Sequence, residues 1–121
     1  MIGADYVQDT KIYQSFENSV AAQGLTVQHP KPGTDFAFGG GKFTVLSPQS
    51  ISSNDNDNSV AIRLENGNNH FLFTGDAESA GEEAICDLGL DLSCDVIVPG
   101  HHGSATATTW ICSRRLFRNM Q

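Results

Sequence analysis

Apolar side chains recur along this chain in two periods, and the switches between them predict its elements. Between residues 10 and 23, Tyr13, Phe16, Val20 and Ala21 return at three- and four-residue intervals, the spacing of one helix face, and Gly24 follows as a stop. Residues 59–65 instead alternate apolar and polar, as a half-buried strand does. Asn66 and Gly67 then predict a hairpin, since both tolerate positive φ, with residues 70–74 as the return strand. Residues 76–88 read as a second helix with Ala80, Ala84, Ile85 and Leu88 on one face. Glu78, Glu82 and Glu83 lie toward its N-terminal half, where the helix dipole favours negative charge. Residues 95–98 predict a further buried strand. The first half carries weaker signals: short strands at 25–28, 35–38 and 42–46, a proline-barred turn at 29–33, a glycine turn at 39–41 and a polar loop at 49–58. The pattern is α/β (α+β), with no internal repeat.

Composition narrows this picture. A length of 121 residues allows one domain at most, with a modest core. Fourteen acidic against seven basic residues argue against a broad surface for nucleic-acid backbone, while leaving a local contact open. No apolar run approaches the roughly 20 residues of a membrane helix. No signal-peptide pattern opens the chain, so it reads as soluble with its compartment open. Three cysteines without CxxC spacing argue against a disulfide framework or a zinc knuckle, and packing is the expected role of Cys86 and Cys94. After Thr109 the composition shifts: residues 110–121 hold three of the seven basic residues. They read either as a basic amphipathic tail for a partner or membrane surface or, preferably, as a chain end outside the domain pattern, of frameshifted or truncated origin.

The chemistry gathers at two strand ends. Asp76 follows Gly75, and His101 and His102 follow Gly100. A carboxylate just past a glycine can turn both oxygens into a cleft and bridge ions about 3.5–4 Å apart. An imidazole can bind zinc through one nitrogen while a neighbour holds the other, and the metal would lower the pKa of bound water to about 7. The plainer reading of Asp76 is a cap on the following helix, and one side chain could do both. Adjacent imidazoles in a glycine-flanked loop pack poorly, which favours a metal or catalytic role for His101 and His102. The run from Asn54 to Asn58 begins like a calcium loop but lacks the glycine and closing glutamate, and reads as a solvated turn. His29 and His70 read as surface histidines. The glycines at 39–41 are no phosphate loop, because no Gly-Lys-Ser/Thr follows.

Taken in order, Phe43-Thr44-Val45-Leu46-Ser47-Pro48, Asn56-Asp57-Asn58-Ser59-Val60, Phe71-Leu72-Phe73-Thr74-Gly75-Asp76 and the run Val96-Ile97-Val98-Pro99-Gly100-His101-His102-Gly103-Ser104 resemble the metallo-β-lactamase fold. The resemblance covers roughly residues 33–109 and is nearest to the ComEC-like competence-protein branch. It implies a four-layer αββα sandwich with a two-metal centre at one edge, zinc-type, with manganese as the alternative. It implies Asp76 as the metal-bridging carboxylate, His101 as the later histidine ligand, and His102 as its alternate or an assisting catalytic group. Asn58 and Ser59 would lie in a loop beside the site, and the branch implies a phosphodiester or nucleic-acid substrate.

The chain also departs from that family. The His-x-His-x-Asp-His motif is absent, as is the histidine expected between it and the Thr-Gly-Asp strand; only His29 and His70 precede Asp76. One aspartate and one or two histidines cannot supply about three protein ligands to each of two ions. Residues 1–109 therefore read as the C-terminal portion of a metallo-β-lactamase-like domain and residues 110–121 as an off-pattern basic tail. Two expectations follow: a metal-dependent hydrolase by ancestry, or a non-catalytic half-domain. The open sheet faces and edges of such a half favour association with the missing N-terminal half-domain or with itself.

Overall fold

The computed structural model describes residues 1–98 and Gly100. Helix α1, Lys11–Ala22, starts where Thr10 takes extended backbone and its hydroxyl accepts the Tyr13 N–H at 3.1 Å. Of its apolar stripe only Val20 is buried. Four strands then form a meander, β1 Asp35–Phe38, β2 Gly41–Val45, β3 Ile62–Asn66 and β4 Asn69–Phe73, each antiparallel to the one before. Helix α2, Ser79–Asp87, carries the chain across to β5, Val96–Val98, which pairs parallel with β4. The sheet order is β1-β2-β3-β4-β5, and helices with a mixed five-stranded sheet make this an α+β fold. Residues 25–28 do not form the expected strand; they contribute one parallel bridge between Gln28 and Ile2.

The β3–β4 turn falls where the sequence places it, with Glu65 at the end of the first strand opposite His70 of the return strand. Asn66 closes the ladder opposite Asn69, so Gly67, at φ 60°, and Asn68 form the loop. This register sets Leu64 opposite Phe71 and Ile62 opposite Phe73. A loop of Asn66 and Gly67 alone would set Leu64 against Asn69 and lose these apolar pairs.

The two faces of the sheet differ. On one, Leu72 and Ala61 join Leu46, Ile85 and Cys86 of α2, and Leu92 and Cys94 of the following segment in a buried cluster. Arg63 shares this face with only 6% of its surface exposed. Its Nε donates to the Ser93 carbonyl at 2.8 Å, and its guanidinium pairs with Glu65 and, at 3.6 Å, with Asp91. The charge is buried but partnered, and it ties the segment after α2 to the sheet. The arginine also holds the Glu65 carboxyl below its ordinary value, mainly by donating to it. On the opposite face Phe36, Phe43, Leu64, Phe71 and Val96 align across all five strands. Phe36 stacks on Phe43 at 5.2 Å, and this row stays half-exposed or exposed.

Cys86 is disulfide-bonded, so packing is not its whole role. Cys94 is a free, buried thiol, and burial pushes its pKa up. Cys94 is therefore expected to resist an aromatic disulfide reagent in the native protein and to react fully on denaturation. Rapid native labelling would contradict its burial.

Candidate functional site

Parallel pairing sends β4 and β5 out at the same edge of the sheet, with Phe73 opposite Val98 as the last pair. The carboxyl ends of parallel strands are where open α/β sheets gather ligand-binding loops. Beyond Phe73 the chain turns through buried Thr74, Gly75 at φ 63° and half-buried Asp76, and the Ala77 N–H donates back to the Thr74 carbonyl at 3.3 Å. From the other strand end Gly100 packs onto this turn. A Cβ at Gly100 would lie 2.5 Å from the Ala77 carbonyl oxygen and 3.0 Å from Thr74 Oγ1. Glycine is thus required for the two strand ends to approach. His101 and His102 lie outside the described residues, as do residues 110–121.

A third segment completes the turn. The Asp76 N–H donates to Ser59 Oγ at 3.1 Å, and Ser59 Oγ donates to the Asn56 carbonyl at 2.7 Å. A Cβ on Gly75 would meet Ser59 Cβ at 2.9 Å. Ser59 is therefore beside Asp76, as the resemblance implied, whereas buried Asn58 is committed to Ser52. Its Oδ1 accepts the Ser52 N–H at 2.7 Å and its Nδ2 donates to the Ser52 carbonyl at 3.1 Å.

The reading of Asp76 as a helix cap is corrected here. Helix α2 begins at Ser79 with Glu78 in the cap position, two residues later than a cap at Asp76 implies. Its N–H groups are met from outside the segment: Asp57 Oδ1 accepts from Glu78 N at 2.8 Å and from Gly81 N at 3.1 Å. Nor is the Asn/Asp run a solvated turn. Asp55–Asn58 form a short 3₁₀ helix wedged against α2, where Asn54 Nδ2 donates to Asp57 and Glu78 at 3.2 Å each and Asn56 Nδ2 donates to Glu78 at 2.8 Å. Asp57 is the residue that sequence reasoning missed. It lies 21 positions before Glu78, and no local pattern links the two.

The described residues do not fit a two-metal centre. Among them no group of three or more His, Cys, Asp or Glu side chains could hold an ion. His70 is the second residue of β4, at the far end from Asp76, with Nδ1 3.3 Å from Asp95. The Nδ1 of His29 faces the Gly3 carbonyl at 3.0 Å. Asp76 is the one predicted ligand that the described structure locates. Also among the described residues, no helix is long and apolar enough to cross a membrane.

Beside Ser59 opens a cavity of about 590 Å³ between α1, the N-terminal segment and the 3₁₀ helix. On its wall the Tyr6 hydroxyl donates to Asp55 Oδ1 at 2.7 Å and Gln8 Nε2 donates to Oδ2 at 3.1 Å. The bond to Asp55 holds the Tyr6 phenol protonated, above its ordinary pKa.

Comparison with known proteins gives three relatives. The chain is 28% identical over 102 residues to ComE operon protein 3 of Bacillus subtilis, an alignment of 84% of this chain and 13% of that protein. It is 39% identical over 79 residues to Recombination protein 2 of Haemophilus influenzae, covering 64% of this chain and 10% of the relative. It is 35% identical over 81 residues to Competence protein ComA of Neisseria gonorrhoeae, covering 65% and 11%. No family model matches the chain, and no solved structure does. The chain is thus similar to a segment spanning about a tenth of the length of each of these much larger proteins.

Proposed function

We propose that this chain is part of a metal-dependent hydrolase domain of metallo-β-lactamase type within a competence-related protein, and that the complete domain acts on phosphodiesters or nucleic acid. The observation that carries the reading is the β4–α2–β5 unit. It delivers Asp76 and the glycine stem of His101 to one sheet edge, with Ser59 holding the Asp76 backbone. One relative is named for competence and another for recombination, in keeping with a role in handling DNA. In this reading Asp76 and His101 are zinc-type ligands, with manganese as the alternative metal, and His102 is an assisting group. The remaining ligands come from an N-terminal half-domain outside this chain, so the chain alone is non-catalytic. The open row from Phe36 to Val96 supports the half-domain reading, because a second sheet of an αββα sandwich would cover it.

The test is zinc content and affinity of the purified chain, by elemental analysis and calorimetric titration. Binding is expected to be weak in the chain alone and to fall by about tenfold or more in Asp76→Ala. Unchanged affinity in that variant removes Asp76 from the site. Tight stoichiometric binding lost in Asp76→Ala would mean that copies of the chain complete the site between them.

A further inference from the structure

Apart from buried Val20, the apolar stripe of α1 stays outside the core. Tyr13 and Phe16 lie one helical turn apart with ring centroids 6.0 Å from each other, and Phe16 is 43% exposed. Both rings, with Tyr6, line the cavity beside Ser59. We propose that this cavity is a nucleobase subsite, receiving the base of a nucleotide whose phosphate lies toward the Asp76 turn. The proposal deepens the phosphodiester reading above and rests on it for the direction of the phosphate.

Three properties select the occupant. The volume, about 590 Å³, lies within the range of about 300–1,000 Å³ typical of small-ligand sites and holds a planar ring system with room for its sugar. The aromatic walls offer π-faces on which any base can stack. The charge is complementary to an uncharged donor rather than to a phosphate. Asp5, Glu17 and Asp55 line the cavity, and no Lys or Arg is among its described lining residues. Asp55 already accepts from Tyr6 and Gln8, and a carboxylate has sites for about four such bonds. The exocyclic amino group of adenine or cytosine can therefore donate to it, while a phosphate in the same place would be repelled. Ser59 lines the cavity and also accepts the Asp76 N–H, so one side chain borders both the cavity and the candidate site.

The experiment uses adenosine and cytidine, which are uncharged, titrated into the purified chain without metal and followed by saturation-transfer NMR and calorimetry. Saturable binding is expected, weakened by about fivefold or more in Tyr13→Ala and in Phe16→Ala. Tyr13→Phe, which keeps the ring, should retain it, as should Phe38→Ala, which removes an exposed aromatic on the sheet. Melting curves establish that each variant is folded. Absence of saturable binding, equal binding of free ribose, or undiminished binding in folded Tyr13→Ala and Phe16→Ala each overturns the subsite. Because no metal is present, the outcome is separate from that of the zinc titration. Nucleoside binding without any Asp76-dependent zinc binding would leave the subsite and remove the hydrolase reading; the reverse pair of results removes the subsite alone.

Discussion

Leu72→Ala is expected to lower the unfolding free energy by about 2–5 kcal/mol, the cost of deleting a large side chain from a packed core. Leu72 is 1% exposed and lies on β4, between β3 and β5, with Arg63 and Ile97 as its neighbours in the ladder and α2 above it. Little can collapse into the space it leaves, because Ala61 is small and Ile85 is held by its helix. A domain of this size has a total stability of about 5–15 kcal/mol, so the loss is a large fraction of it. Phe71, one position earlier, points to the open face and is half-exposed; Phe71→Ala should cost clearly less than Leu72→Ala although the side chain removed is larger. Urea midpoints of the two variants decide the matter. Equal losses, or a greater loss from Phe71→Ala, would mean that the core lies on the other face.

Gly100→Ala is expected to cost about 1–3 kcal/mol, the range for overpacking a tight contact, and to disturb the candidate site as well. The new methyl would meet a backbone oxygen, Ala77 O, at 2.5 Å, with Thr74 Oγ1 at 3.0 Å and Glu82 Oε1 at 3.1 Å. A backbone oxygen cannot swing aside as a side-chain end can. Relief comes only by moving the segment after β5 away from the Thr74–Asp76 turn, which widens the gap between the two strand ends. The variant should therefore lose zinc affinity in step with Asp76→Ala while retaining its fold by circular dichroism. Wild-type stability and zinc binding in Gly100→Ala would mean that the two loops do not meet closely.

The parts of this fold that were legible in the sequence are those decided by local pattern. The alternation in residues 59–65 predicts β3 because one face of the sheet is buried and the other half-covered. The stripe on α1 and Gly24 after it predict the helix to within a residue at each end. The errors lie where distant residues decide. Residues 76–78 fit a helix, but the anion that meets the first N–H groups belongs to Asp57, in another segment, and it sets the start at Ser79. The candidate site divides the same way. Asp76 at a strand end was legible from Thr74, Gly75 and the apolar run before them. The Ser59 hydroxyl behind its backbone was implied only by family resemblance, and the cavity walled by α1 was not foreseen, because periodicity alone cannot distinguish a stripe that faces a core from one that faces a void.

The order of strands in the sheet is also their order in the chain. Each strand as it leaves the ribosome finds its partner already present and adjacent, so the entropy of closing each connection stays small and no strand waits for a later one. Assembly can proceed like a ratchet, one ladder at a time, until α2 folds over Leu72 and closes one side. The row from Phe36 to Val96 is built up in the same sequence and stays open when the sheet is complete. For a nascent protein of this kind, completing the sheet leaves an apolar row facing water, the kind of surface a chaperone binds.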